Sequence, residues 1–278
     1  MDKLSPIGVF DSGYGGLTVL KEIAKKLPGY DYIYLGDNAR APYGPRSFET
    51  VYEYTLQAVK WLFERNCPLI ILACNTASAK ALRTIQQNDL PEIDKDKRVL
   101  GVIRPTVELV GNFTQTKHVG VLGTNGTVQS QSYPIEIEKF FPDIKVYQHA
   151  CPLWVPLVEN NEYDSEGADY FIEKDLKELL KNSDKIDTIL LGCTHYPLLI
   201  NKIKKFSPQG IKIISQGEIV AESLFDYLDR HKDLAKRCST NGSLSFFTTD
   251  SPADFDKHSE VFFGKEVHSQ HVYLANAQ

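Results

Sequence analysis

The stretch that decides the fold is IILACNTAS at residues 70–78, together with its counterpart ILLGCTHYP at residues 189–197. Each consists of an apolar strand, a small residue, a cysteine and a polar, hydroxyl-rich turn that enters a helix. Cys74 and Cys193 occupy the same place in the two stretches. Because the repeat unit is a strand followed by a helix, it predicts two similar α/β halves.

A second pair of turns repeats this arrangement. IGVFDSGYGG at 7–16 and VGVLGTNGT at 119–127 each read as a strand ending in a glycine-rich turn. Strand-like and helix-like segments alternate along the chain, which is typical of parallel sheets with crossover helices. Ligands bind at the carboxyl ends of such strands. We therefore predict an α/β fold of two pseudo-symmetric lobes, each a mainly parallel sheet flanked by helices, with the active site in the cleft between them.

The repeat also predicts how the chain divides. The first lobe is predicted over residues 1–98 plus 210–278 and carries Cys74, and the second over 99–209 and carries Cys193. Apolar stripes at helical spacing predict a helix over 52–63, with Ser47 as its N-cap.

Composition excludes several classes of protein. The chain has 278 residues, of which 42% are hydrophobic and 24% charged, and a net charge of −5. This acidic balance argues against nucleic acid or an anionic membrane as a partner. The apolar runs are shorter than the ~20 residues of a membrane helix. The first residues lack the apolar core and cleavage site of a signal peptide. We therefore expect a cytoplasmic protein.

The five cysteines are widely spaced and odd in number, which predicts neither a disulfide framework nor a metal site. Cys67, Cys151 and Cys238 are predicted to be small buried apolar residues. Cys74 and Cys193 differ because each lies at a strand-to-helix turn, where free N–H groups favour an anion. Asp11, in the first turn, and His195, two residues after Cys193, are the candidate proton partners.

The glycine-rich turn DSGYGG at 11–16 lacks the P-loop ending and the GxGxxG spacing, so no nucleotide cofactor is supported. Its backbone donors and Ser12 suit a small carboxylate, although an ordinary tight turn has the same pattern. GDNARAPYGPRS at 36–47 is a second loop of this kind. The polar residues of the turns could bind an amino acid or cap helices: Asn75, Thr76, Thr124, Thr127, Thr194 and His195.

Seven motifs, in their order along nearly the whole chain, closely resemble the glutamate racemase family. They are FDSGYGGL, LGDNARAPYGPRS, LACNTAS, VLGTNGT, CPLWVPLVE, LLGCTHYPLL and FFTTDSPADF. The resemblance implies a cofactor-independent isomerase that interconverts L- and D-glutamate and supplies D-glutamate for peptidoglycan synthesis. It also implies that glutamate is the small-molecule partner, and we expect a homodimer without a metal.

The resemblance further implies that Cys74 and Cys193 are catalytic bases on opposite faces of the substrate α-carbon, acting on D- and L-glutamate respectively. Asp11 would assist Cys74, and His195 with Glu159 would assist Cys193. The implied substrate-binding residues are Asp11, Ser12, Pro42, Tyr43, Gly44, Asn75, Thr76, Thr124, Thr127, Thr194 and His195. The segment Ile214-Ser215-Gln216-Gly217 departs from the family pattern, because many relatives carry an aspartate there.

Three other hypotheses compete with glutamate racemisation. The first is racemisation of a related amino acid such as aspartate. The second is a hydrolase or lyase of the same fold, with one cysteine as nucleophile and His195 as base, which predicts a trappable covalent adduct. The third is a binding protein that exchanges no α-proton, and the presence of both cysteines counts against it.

Overall fold

A computed structural model describes residues 5–274, so residues 1–4 and 275–278, at the two ends of the predicted first lobe, lie outside the described residues. The strands are β1 (Ile7–Asp11), β2 (Tyr32–Gly36), β3 (Leu69–Leu72), β4 (Arg98–Gly101), β5 (His118–Gly123), β6 (Lys145–Ala150), β7 (Thr188–Gly192), β8 (Lys212–Ile214), β9 (Leu244–Thr248) and β10 (Ser269–His271). They form a six-stranded sheet, in the order β10-β9-β2-β1-β3-β4, and a four-stranded sheet, in the order β6-β5-β7-β8.

Every strand pairing within residues 5–274 is parallel. β1 lies between β2 and β3, and β5 lies in the same way between β6 and β7. The two sheets therefore share one topology around the two cysteine strands β3 and β7. This confirms the predicted α/β class with two pseudo-symmetric sheets.

The helices flank both sheets. They are α1 (Leu17–Lys26), α2 (Phe48–Glu64), α3 (Asn75–Lys80), α4 (Leu82–Thr84), α5 (Leu90–Ile93), α6 (Ile103–Leu109), α7 (Asn125–Gln129), α8 (Ser132–Phe140), α9 (Trp154–Glu159), α10 (Glu166–Leu180), α11 (Ile200–Phe206), α12 (Gly217–Arg230), α13 (Lys232–Arg237) and α14 (Pro252–Phe263). Short 3₁₀ helices cover Asn38–Arg40, Val110–Asn112 and Tyr196–Leu199, and a π-helix covers Ile85–Asp89. No helix of the described chain is both long and apolar enough to cross a membrane.

The predicted cap of α2 is confirmed. Ser47 is extended and its side chain accepts a hydrogen bond from the Thr50 N–H at 3.2 Å. This bond satisfies one of the free donors of the first turn. The apolar stripe then buries Leu56, Val59 and Phe63 against the first sheet.

The largest apolar core extends through both sheets. It contains Val9 of β1, Leu20 of α1, Leu191 of β7 and Leu224 of α12, each at most 3% exposed. α12 follows β8 of the second sheet and packs along α1, which follows β1 of the first sheet. The two sheets are therefore held by one continuous buried surface.

The strand pairings correct both predicted lobe junctions. β4 pairs with β3 of the first sheet although it extends beyond residue 98, and β8 pairs with β7 of the second sheet although it lies after residue 210. Each of these strands completes the parallel crossover begun by its neighbour, so it stays in that neighbour's sheet. Near the C-terminus, β10 pairs with β9 and extends the first sheet by one strand.

Asp31 fastens the returning C-terminal segment to the first sheet. Its fully buried carboxylate accepts hydrogen bonds from the N–H and side chain of Asn241 and from the N–H and hydroxyl of Ser243, at 2.6–3.2 Å. Burial alone would raise the pKa of Asp31, but the hydrogen bonds from this segment outweigh it and lower the pKa.

We expect Asp31→Asn to lower the free energy of unfolding by about 3 kcal/mol at neutral pH, because the buried carboxylate loses the charge-assisted hydrogen bonds that it accepts. Since the folded pKa is lowered, this stability is present above the unfolded pKa of about 4 and disappears as the pH falls below it. Urea unfolding at neutral and acid pH measures both effects, with the exposed Asp184→Asn as the control. Equal stability of the two variants at neutral pH would contradict this role.

Candidate active site

The four turns predicted from the repeat converge on one cavity. Ser12 follows β1, Cys74 follows β3, Thr124 follows β5 and Cys193 follows β7, and all four line a cavity of about 250 Å³. The other lining residues are Ala41, Pro42, Tyr43, Gly44, Pro45, Asn75, Thr76, Asn125, Cys151, Pro152, Val155, Pro156, Glu159, Thr194 and His195. The carboxyl ends of both sheets therefore face a common space of the size expected for a small ligand.

Cys74 is the N-cap of α3. Its sulfur accepts a hydrogen bond from the Ala77 N–H at 3.4 Å and lies 3.5 Å from the Ser12 hydroxyl. Burial raises the pKa of the Cys74 thiol to about 12, and the nearby Asp11 carboxylate adds to the rise. Cys74 is therefore a thiol at neutral pH, with a hydroxyl and an amide beside its sulfur.

Cys193 has a different environment. Its sulfur lies 3.9 Å from His195 Nδ1, and His195 Nε2 lies 2.9 Å from a Glu159 carboxylate oxygen. Burial alone would lower the pKa of His195, but the hydrogen bonds with Cys193 and Glu159 outweigh it and raise the pKa to about 10. His195 is therefore an imidazolium at neutral pH and places a positive charge beside the second sulfur.

Two predicted site residues lie behind the cavity wall. Asp11 is fully buried, accepts a hydrogen bond from the Gly13 N–H at 2.9 Å and lies 3.4 Å from the Thr194 hydroxyl. Burial raises its pKa, partly offset by the charge of His195. Thr127 is also fully buried, and its N–H and hydroxyl contact Thr124 Oγ1 at 3.2 Å. Both residues support neighbours that line the cavity.

Contacts between the two sheets' loops frame the cavity. The Thr76 and Thr124 hydroxyls are 2.9 Å apart, and the Gly126 N–H donates to the Gly44 carbonyl at 2.9 Å. Tyr43 is 1% exposed, and its hydroxyl donates to the Asp37 carboxylate. The loop predicted from its Pro-Tyr-Gly sequence therefore forms a fixed part of the wall.

Comparison with known proteins identifies this arrangement. The family model described as Asp/Glu/Hydantoin racemase matches residues 7–224. The chain belongs to this racemase family. A glutamate racemase of Streptococcus suis is 40% identical over 97% of this chain and 98% of its own length. The crystal structure of a glutamate racemase isoform of Bacillus anthracis has a TM-score of 0.88 at 38% identity, and covers 98% of each chain.

A further racemase structure, from Francisella tularensis in complex with D-glutamate, has a TM-score of 0.87 at 36% identity and covers 99% of each chain. These findings confirm the family resemblance that the seven sequence motifs carry. They also confirm the fold, because the likeness extends over both sheets.

The racemase cavity includes a buried polar chain that the motifs did not predict. Asn75 is 2% exposed, and its Oδ1 accepts a hydrogen bond from the Tyr133 hydroxyl at 2.8 Å. That hydroxyl in turn accepts from Gln216 Nε2 at 2.8 Å. Asn75 lines the cavity, and its amide nitrogen is buried with no hydrogen-bond partner among residues 5–274. Tyr133 therefore links Asn75 to Gln216, which belongs to the segment that departs from the family pattern.

Sequence reasoning also missed most of the apolar wall. Pro152, Val155 and Pro156 line the racemase cavity, as does Cys151, which was predicted to be only a buried apolar residue. Cys151 is 1% exposed, so its predicted burial is confirmed while its place at the cavity was missed. The signal was present in the motif CPLWVPLVE, of which only Glu159 was assigned a role.

We expect Glu159→Gln to lower the pKa of His195, because the carboxylate that stabilises the imidazolium is replaced by a neutral amide. Since the folded pKa is raised, the stability from charged His195 is present below its unfolded pKa of about 6.5 and is lost as the pH rises through about 10. NMR titration of the ¹⁵N-labelled imidazole measures the change. The exposed Glu162→Gln is the control, and an unchanged His195 titration in Glu159→Gln would contradict the assignment.

Proposed function

We propose that this isomerase interconverts L- and D-glutamate by a two-base mechanism without a cofactor. The observation that carries the proposal is the pair of buried cysteines, each within two residues of the end of the equivalent strand of its own sheet and each lining the same cavity. Racemisation needs one group to remove the α-proton and another to deliver a proton to the opposite face. Two equivalent sulfurs from two related sheets fit this requirement.

The charges around the two sulfurs suit the two roles. The His195 imidazolium stabilises a Cys193 thiolate, whereas Cys74 rests as a thiol. In the L-to-D direction, Cys193 takes the α-proton and becomes a thiol. The electron pair of the broken C–H bond passes into the α-carboxylate, and Cys74 then protonates the opposite face and becomes a thiolate. The D-to-L direction reverses these proton transfers.

The wall residues have different parts in this proposal. Ser12, Thr76, Thr124 and Thr194 offer hydroxyls to the substrate, and Asn75 adds an amide group whose nitrogen has no hydrogen-bond partner within the described part of the chain. Pro42, Tyr43 and Gly44 shape the wall on one side. Acid–base catalysis supplies about 10²–10⁴-fold of the rate acceleration. Hydrogen-bond donors held in fixed positions around the developing negative charge supply the rest. Asp11, Glu159 and Thr127 act as positioning residues, together with the charge of His195.

The proposal extends to the setting of the reaction. D-glutamate formed by this protein would enter peptidoglycan synthesis in the cytoplasm, and the protein would act as a homodimer. Size-exclusion chromatography with light scattering tests the dimer directly, and a monomeric mass at working concentration would exclude it.

Proton NMR of L-glutamate in buffered D₂O, with no added cofactor, tests the reaction. We expect the α-proton signal and the optical rotation to disappear together. Early in the reaction, deuterium should appear in the product enantiomer while the remaining substrate keeps its proton, because each face has its own base. If both signals persist with folded protein, the substrate assignment fails. Aspartate would then be tested in the same way, and mass spectrometry would seek the covalent adduct of a hydrolase.

A further inference from the structure

A second group of chemically reactive side chains lies outside the proposed catalytic residues. His149 lies near the end of β6, Cys151 follows two residues later, and Asp175 lies on α10. One ligand atom of each residue lies within 4.8 Å of the other two. Nitrogen, thiolate sulfur and carboxylate oxygen are the donors that Zn²⁺ binds in proteins.

Local structure explains why these side chains meet. The Cys151 N–H donates to the Gly123 carbonyl at 2.9 Å, which extends the pairing of β6 with β5 by one residue. Alternate residues of an extended strand point to the same face, so His149 and Cys151 both reach Asp175 on the helix that packs there. The Tyr196 hydroxyl also donates to the Cys151 carbonyl at 3.1 Å and holds this backbone in place.

The spacing of the donors is close to that of a tetrahedral zinc site. His149 Nε2 and Asp175 Oδ1 are 3.2 Å apart. Zinc bonds of about 2.0–2.1 Å at tetrahedral angles place two such atoms roughly 3.3 Å apart. To bind the same ion, the Cys151 sulfur needs to move closer to these two atoms by about an ångström. A rotation of the Cys151 side chain allows this movement.

Charge and access also favour a cation here. Asp175 is 8% exposed and Cys151 is 1% exposed, so two potential anions lie together in a buried place. The His149 side chain is 26% exposed, which leaves an approach from solvent.

We propose that His149, Cys151 and Asp175 bind Zn²⁺, with water as the fourth ligand. His149 binds through Nε2 and Asp175 through Oδ1, while Cys151 releases its thiol proton to solvent as the zinc–sulfur bond forms. The metal joins β6 to α10 and stabilises the cavity wall that contains Cys151. The proposal does not depend on the proposed racemisation, because none of the three residues is assigned to that chemistry.

Titration with Co²⁺, a spectroscopic substitute for Zn²⁺, tests the site. The titration uses the full chain with Cys74→Ser and Cys193→Ser, so that the active-site thiols cannot bind the metal. We expect one equivalent of Co²⁺ to produce a thiolate-to-cobalt charge-transfer band and tetrahedral visible bands, and Zn²⁺ to displace both. Absence of the charge-transfer band would overturn the proposal.

Further variants on the same background locate the ligands. Cys151→Ser should abolish the charge-transfer band, whereas Cys238→Ser, which removes another buried thiol, should leave it unchanged. His149→Ala and Asp175→Asn should each weaken metal binding by more than the roughly 10–100-fold that loss of an outer-shell partner causes. His149 is partly exposed, so His149→Ala gives the test if Cys151→Ser does not fold. A band that survives Cys151→Ser, or affinity unchanged in His149→Ala, would show adventitious binding and reject the site.

Discussion

Serine in place of Cys74 or Cys193 is expected to lower kcat/KM for glutamate racemisation by at least about 10³-fold, within the range that acid–base groups supply. A serine hydroxyl keeps the size of the side chain but is a far weaker acid than a thiol. Because the equilibrium constant between enantiomers is one, each variant must lose kcat/KM equally in both directions, even where the individual kcat values differ. Coupled assays of both directions measure the loss.

Cys238→Ser is the matched control for this experiment. Its thiol is also buried, but its sulfur donates to the Leu234 carbonyl at 3.4 Å and does not line the cavity. We expect its racemisation rate to equal that of the unaltered chain. Turnover at the normal rate in either cavity-cysteine variant would reject the two-base assignment. A large loss in only one of them would instead favour the single-nucleophile hypothesis.

Gly15→Ala is expected to lower kcat/KM by about 10²-fold, the loss that a 1 Å misplacement of reacting groups can cause. A Cβ at this position would lie 2.5 Å from His195 Nδ1 and closer still to the Thr194 hydroxyl. His195 cannot move away freely, because its other nitrogen bonds Glu159 and its ring packs edge-on against Phe262 at 5.3 Å. The methyl group therefore displaces the imidazolium from Cys193.

Gly29→Ala is the control for Gly15→Ala. No atom of the described residues lies within 4 Å of a Cβ at Gly29, and neither glycine has a φ in the left-handed region that strains alanine. We expect Gly29→Ala to keep full activity, with a stability equal to or slightly above that of the unaltered chain. The far-ultraviolet circular dichroism of Gly15→Ala should match the control. Full activity in folded Gly15→Ala would show that the position of His195 is not critical.

The repeat predicted the cysteine strands because their signal is local. An apolar run, a cysteine and a hydroxyl-rich turn are consecutive in the chain, and parallel sheets place all such turns at one edge. The same reasoning placed both lobe junctions too early in the chain, because β4 belongs to the first sheet and β8 to the second. Strand membership depends on which neighbour supplies the hydrogen bonds, and short edge strands carry little periodicity of their own.

In the candidate site, too, local sequence predicted some features and the fold decided others. Ser12, Asn75, Thr76 and Thr194 were predicted to line the site because each adjoins a turn, and the structure places them in the cavity wall. Asp11 was expected to contact substrate but lies behind that wall. Whether a residue at the end of a strand faces the cavity or the core depends on the turn of the backbone, which composition does not determine.

By itself, the sequence determined the α/β class, the doubled arrangement and the two cysteines, because all three follow from patterns within a few consecutive residues. Only the tertiary structure gave the contact between the candidate partners His195 and Glu159, which joins residues 36 positions apart at 2.9 Å. It also decided the assembly of His149, Cys151 and Asp175, whose donors meet only when α10 packs on β6. Interactions that cross between elements depend on packing, and packing is a property of the whole folded chain.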